Sequence, residues 1–138
     1  MNNPVIANIR VEWDWVKTGI EAILAGEPQL TYRPEDVYVE CVTGAATLFI
    51  DEHKNFMITT ITTDKYTDKS TFLLWLGWCP NKGLRHSSFR DLYMPFFEQV
   101  ARDCKCSFIE VKSSLAKSNE YYLNNGWDLH TRVFTRAL

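Results

Sequence analysis

Apolar positions recur at helical spacing in two long stretches of this chain and crowd at strand spacing between them. From Val11 to Ala25, Trp15, Ile20, Ile23 and Leu24 fall near a 3.6-residue period, with Glu12, Asp14, Lys17 and Glu21 largely opposite, which predicts an amphipathic helix. Gly26 and Pro28 stop it. Thr31–Asp36 opens a short second helix, because Pro34 suits a first turn, where its missing N–H has no partner to lose. Ala46–Asp51 and Phe56–Thr63 are apolar or β-branched, and the polar Asp51–Asn55 segment between them predicts a hairpin. After the polar stretch Lys65–Ser70, Thr71–Cys79 is an almost uninterrupted apolar run, the pattern of a central strand covered on both faces.

Ser87–Arg102 carries the strongest helical period. Phe89, Leu92, Tyr93, Phe96, Phe97 and Val100 make one face, Ser88 and Asp91 stand at capping spacing, and Pro95 removes one rung of the hydrogen-bond ladder. Ser107–Lys112 then reads as a strand, Ala116–Asn124 as a helix released by Asn125-Gly126, and Leu129–Arg136 as a last strand. The order predicts a single α/β domain over residues 1–138, with a central mixed sheet flanked by helices. Strand–helix–strand alternation in the second half requires parallel neighbours there.

Composition agrees with one domain: 46% of the 138 residues are apolar, and the 14% aromatic share lets so short a chain bury a stable core. A net charge of -2 argues against a protein whose main task is neutralising nucleic-acid phosphates. No apolar run approaches the roughly 20 residues of a membrane-spanning helix. Met1–Arg10 lacks the basic and apolar regions of a secretory signal, so a cytoplasmic location is expected. Cys41, Cys79, Cys104 and Cys106 read as small buried residues in a reducing compartment. Cys104-Lys105-Cys106 has no second C-x-x-C or neighbouring His, and no metal site is expected. The sequence holds no G-x-S-x-G, P-loop, H-E-x-x-H or G-x-G-x-x-G pattern. A surface cluster among Trp13, Trp75, Trp78 and Trp127 would mark a partner or homodimer interface, although core packing is the ordinary explanation for such residues.

Two short motifs add to this pattern. Tyr121-Tyr122-Leu123-Asn124-Asn125-Gly126-Trp127 and Cys79-Pro80-Asn81-Lys82-Gly83 sit in the order strand, loop, long helix, strand, helix, strand. Together they resemble the coenzyme-binding half of the GNAT N-acetyltransferase superfamily. Its members usually carry aromatic-Tyr-x-x-x-Gly-Phe at the first motif, and Pro with an Arg/Lys-Gly step at the second. The likeness covers Thr71–Leu138 by motif and the first half by element order alone.

The resemblance implies a GNAT-like fold and acetyl-coenzyme A (acetyl-CoA) as co-substrate. A pyrophosphate dianion would rest on the free N–H groups at the start of the Ser87–Arg102 helix. Trp78, Cys79, Lys82, Gly83, Arg85, Ser87 and Ser88 are the implied binding residues, and Tyr122 the implied acid that protonates the departing thiolate. The loop departs from the family's Arg/Gln-x-x-Gly-x-Gly/Ala pattern. Gly83 is its one glycine, Arg85 and His86 stand where small residues are usual, and Leu115, beside Ser113 and Ser114, stands where an Asn is common. No general base stands out. The Trp75–Trp78 strand has no carboxylate, and Glu40, Asp51, Glu52 and Glu110 are the nearby acids, for each of which surface solvation is the ordinary role. His130 lies alone, and a lone His on an edge strand is more often structural than catalytic.

Two functional readings follow from the resemblance. One is an N-acetyltransferase acting on a small-molecule or protein amine by direct attack on the thioester, since no nucleophile constellation is present. Glu35, Asp36 and Glu40 permit a positively charged amine. The other is a GNAT-like binding or structural protein that has lost catalysis. Small divergent GNAT-like proteins of this size are also similar to ones encoded by tailed bacteriophages, some of them virion-associated, which would place the chain in a host cytoplasm or a virion. Fold alone does not choose between these readings.

Overall fold

The computed structural model describes residues 2–80, 86–112, 122–130, 133–134 and 136–138, and the side chains of residues 86–92 fall outside that description. A two-residue strand, β1 (Val5–Ile6), precedes the first helix, α1 (Ile9–Ala25). Asn8 caps α1, its side-chain oxygen accepting the Arg10 N–H at 3.0 Å. A second helix, α2 (Pro34–Val42), has Pro34 in its first turn, and the Asp36 carboxylate accepts the Arg33 N–H at 2.8 Å. Three strands follow: β2 (Ala46–Ile50), β3 (Phe56–Thr63) and β4 (Ser70–Trp78). The long helix α3 (His86–Asp103) runs on through Pro95, and β5 (Phe108–Val111) is the last strand among the described residues.

The five strands lie in sequence order. The first three pairings are antiparallel, and β4 pairs with β5 in parallel because α3 carries the chain across between them. The sheet is mixed and flanked by helices, as the apolar pattern predicts. Two elements differ from that pattern. β1 is additional: two residues show no period, and they pair because the outer edge of β2 accepts them. The last strand expected over Leu129–Arg136 is absent at its described residues. Leu129, Val133 and Phe134 are exposed there, so the described residues of this run offer no buried face to specify a strand. Of the helix expected over Ala116–Asn124, Tyr122–Asn124 is helical and the remainder lies outside the described residues.

One core lies on each face of the sheet. Val16, Ile20, Val37, Leu48, Phe56, Ile58 and Leu76 pack beneath α1 and α2, and Phe49, Met57, Phe72, Leu74, Tyr93, Phe97 and Ala101 pack beneath α3. β4 is therefore covered on both sides. Trp13, Trp15, Trp75 and Trp78 are half-buried against the first core, which is where most of the tryptophans go.

α1 approaches the sheet closely at Gly19. A Cβ there would sit 2.6 Å from both Cε2 of Phe56 and Cδ1 of Trp78, two stiff rings. In an open helix Gly→Ala gains about 1 kcal/mol. Overpacking of ~1–3 kcal/mol outweighs that gain here. Gly19→Ala is accordingly expected to lower Tm by several degrees in a thermal melt, reversing the sign of helix propensity. A raised Tm would show that α1 can lift off the rings freely.

Candidate active site

The pairing of β3 with β4 slips by one residue. Ile58 faces Leu76 and Thr59 faces Leu74, so Trp75 is an inserted residue with no partner in β3. Such a bulge bends the strand and re-aims a side chain. The result is visible in the packing: Leu74 joins the core under α3, whereas both Trp75 and Leu76 turn to the α1–α2 face. On its other side the described pairing of β4 with β5 runs from Thr71 opposite Phe108 to Leu74 opposite Val111. That pairing ends at the bulge. Beyond it the β5-facing edge of Trp75–Trp78 is extended backbone with no ladder partner among the described residues. Such an edge is the usual template for an extended, amide-bearing ligand.

Of the residues singled out by sequence, Trp78 lies on this edge and Cys79 follows it. Trp78 ends β4 on the α1 side, against Gly19, while Cys79 turns toward the α3 core and lies close to Tyr93. Ser87 and Ser88 stand in the first turn of α3. Lys82, Gly83 and Arg85 lie outside the described residues, as does Leu115. Tyr122 is buried and meets Trp127 edge-on, with ring centroids 5.5 Å apart. The Trp127 N–H donates to the Tyr122 carbonyl across Gly126, whose φ of 85° is the left-handed exit anticipated for that glycine.

Of the acids considered as bases, Asp51 has another task. One oxygen accepts from the Asn55 side chain at 2.9 Å and from the Tyr93 hydroxyl at 3.0 Å, and the other accepts the His53 and Asn55 N–H groups. Burial pushes this carboxyl up, but the accepted hydrogen bonds together hold it below the usual value of 3.8. It ties α3 to the β2–β3 turn and does not take up protons near neutrality. Burial first, then the Asp51 hydrogen bond, push Tyr93 from 10 up to about 12. The signs are opposite at the two ends of the pH scale. Asp51 stabilises above the ordinary carboxylate range, and that contribution fades as pH falls through it. Tyr93 stabilises fully below pH 10, and its contribution is lost between there and about 12. The stability difference between wild type and Tyr93→Phe, from urea melts across pH, is thus expected to be flat near neutrality and to shrink over that alkaline window. A difference that does not change there would refute the coupling.

Glu40 stands elsewhere, on α2. Tyr32, Asp36, Glu40, Thr60, Leu73 and Trp75 line an open cleft of about 360 Å³ on the α2 face, directly at the bulge. The Tyr32 and Trp75 rings form one wall, centroids 5.6 Å apart and planes at 48°. Burial raises the Tyr32 phenol, although the Trp75 indole N–H opposes this, so Tyr32 is an uncharged phenol at neutral pH. Sequence reading missed Tyr32, Thr60, Leu73 and Trp75 as site residues, and the displaced tryptophan in the β4 run is the one trace they left. Burial pushes the Cys41 thiol up to about 11 and raises Cys106 as well, so neither is a thiolate nucleophile at neutral pH. Among the described residues no helix is long and apolar enough to cross a membrane.

The mixed sheet with flanking helices, five-stranded among the described residues, matches the fold of GNAT acetyltransferases. It matches an aminoglycoside N-acetyltransferase in complex with CoA at a TM-score of 0.67 and 10% identity, over 99% of this chain and 98% of that one. A GNAT family acetyltransferase of Staphylococcus aureus matches at a TM-score of 0.63 and 12% identity, over 98% and 97%. An acetyltransferase of Trypanosoma brucei matches at 0.64 and 12%, over 99% of both chains. At such identities the likeness is one of fold. No family model and no curated protein matches the sequence.

Proposed function

We propose that the chain is an acetyl-CoA-dependent N-acetyltransferase. The observation that carries this reading is the Trp75 bulge in β4, where the described pairing with β5 also ends, on a strand that leads to the start of α3. The free edge of Trp75–Trp78 suits the amide-bearing arm of the coenzyme. The first turn of α3, with Ser87 and Ser88, suits its pyrophosphate, helped by the side chains of Lys82 and Arg85 and by close approach at Gly83. When bound, the coenzyme supplies a thioester carbonyl to an attacking amine. The Tyr122 hydroxyl is the proton donor to the leaving sulfur, in keeping with its place in the Tyr-x-x-x-Gly-aromatic motif. The amine nitrogen attacks directly, which agrees with the protonated state of the Cys41 and Cys106 thiols.

Free thiol released from acetyl-CoA, followed with a thiol-trapping dye over a panel of amines, tests this reading. Amine-dependent release above the spontaneous rate is expected. Acetyl-CoA binding without release for any amine would favour the other reading, a GNAT-shaped binding protein, virion-associated or not, that has lost the chemistry.

A further inference from the structure

We propose that the cleft beside Trp75 receives the acceptor, and that this acceptor is an aliphatic diamine or polyamine, a chain carrying a second ammonium besides the nitrogen that is acylated. The proposal rests on the acetyltransferase reading for the fate of the amine, while binding in the cleft is measurable without it. Position comes first. The cleft is walled by Trp75, the bulged residue next after the last described β4–β5 pair, so a nitrogen at that wall lies beside the edge assigned to the thioester arm.

The lining then narrows the class. Tyr32, Leu73 and Trp75 give an apolar and aromatic surface suited to methylene groups, with ring faces that attract cations. Asp36 and Glu40 stand one turn apart on the same face of α2. Arg33 partly neutralises Asp36 at 3.5 Å. Among the described residues no cation forms an ion pair with Glu40. Glu27 adds further negative charge, its field raising the Tyr32 phenol beyond the effect of burial.

Charge along the chain follows the same division. Met1–Thr60, which supplies α1, α2 and most of the rim, holds nine acidic and four basic residues. Ile61–Leu138, which supplies the region assigned to the anionic coenzyme, holds eight acidic and eleven basic. An anionic or neutral acceptor gains nothing from the acidic half. Asp36 is already met by Arg33, and the nitrogen that is acylated must be neutral to attack, so Glu40 is answered by a second ammonium at the end of an apolar spacer, which a simple monoamine or a peptide lysine lacks.

The reaction balances within that geometry. The neutral amine nitrogen forms a bond to the thioester carbonyl carbon, the carbon–sulfur bond breaks, the sulfur gains a proton, and the new amide sheds one to water. The acetylated product carries one cation fewer, so it leaves the cleft more readily than the substrate.

The test is a titration of the full chain, without coenzyme, with spermidine, 1,4-diaminobutane and n-butylamine, followed by tryptophan fluorescence and calorimetry. The diamine and spermidine are expected to bind at least about tenfold more tightly than butylamine, with an affinity that falls as salt is added. Glu40→Gln, an exposed change that leaves the far-ultraviolet circular dichroism as it was, is expected to weaken spermidine about fivefold, the scale of one solvent-facing ion pair. Equal affinity for butylamine and spermidine, indifference to Glu40→Gln, or tighter binding of a lysine peptide would each overturn the proposal. Because the coenzyme is absent, a failure of acetyl transfer with polyamine binding intact counts against the acetyltransferase reading and not against the cleft.

Discussion

Tyr122→Phe is expected to slow acetyl transfer by about 10²-fold or more, the usual contribution of a placed general acid, while acetyl-CoA affinity changes by less than about threefold. The substitution removes only the phenolic oxygen. The ring stays buried and edge-on to Trp127. The chemistry also fixes how the defect varies with pH. A departing thiolate needs protonation less as pH rises past an ordinary thiol's value of about 8.5, so the ratio of wild-type to variant rates should narrow in alkali. Thiol release measured across pH checks this. A variant as fast as wild type would place the acid elsewhere, and a loss equal at every pH would make Tyr122 a packing residue.

Phe97→Ala is expected to be the most damaging single change to the fold, at about 3–5 kcal/mol in urea denaturation. Phe97 is fully buried and meets Phe49 and Phe96 edge-on, at 5.5 Å and 5.3 Å between centroids. That cluster holds α3, the crossover that sets β5 parallel to β4, against the sheet. A loss of this size is a large share of the 5–15 kcal/mol that ordinary domains possess, so the variant should also lose acetyl-CoA binding. Phe97→Leu, which keeps most of the volume, should cost less than about 2 kcal/mol and retain binding. A Phe97→Ala variant as stable as Phe97→Leu would mean that α3 is held by something other than this cluster.

Much of the fold was legible because its elements carry strong periods. The Phe89–Val100 stripe and the Trp15–Leu24 stripe each specify a helix, and the apolar run Thr71–Cys79 specifies a strand buried on both faces, which β4 is. Less was legible where pairing, and not period, decides. Val5–Ile6 becomes a strand only because β2 has an outer edge to fill. Leu129–Arg136 has strand-like residues, but its described part has no strand partner. The site divides in the same way. Trp78, Cys79, Ser87 and Ser88 lie where a strand end and a helix start place them, and motif spacing finds those. The cleft draws on Tyr32, Glu40, Thr60 and Trp75, which are far apart in sequence and come together through α2 packing and a one-residue slip of β4. No local spacing encodes that meeting. Asp51, one of the acids weighed as a base, is held by Asn55, His53 and Tyr93, and only the folded chain reveals those partners.

Calorimetric titration of the chain with acetyl-CoA, repeated with the Lys82→Ala/Arg85→Ala double variant, is the most direct test of the proposed coenzyme site at the β4 bulge and the start of α3. Micromolar binding, weakened at least about tenfold by the double variant through loss of two phosphate contacts, is the predicted result. No heat at millimolar acetyl-CoA would contradict it, and the bulged edge of β4 would then be a feature of the fold without a coenzyme.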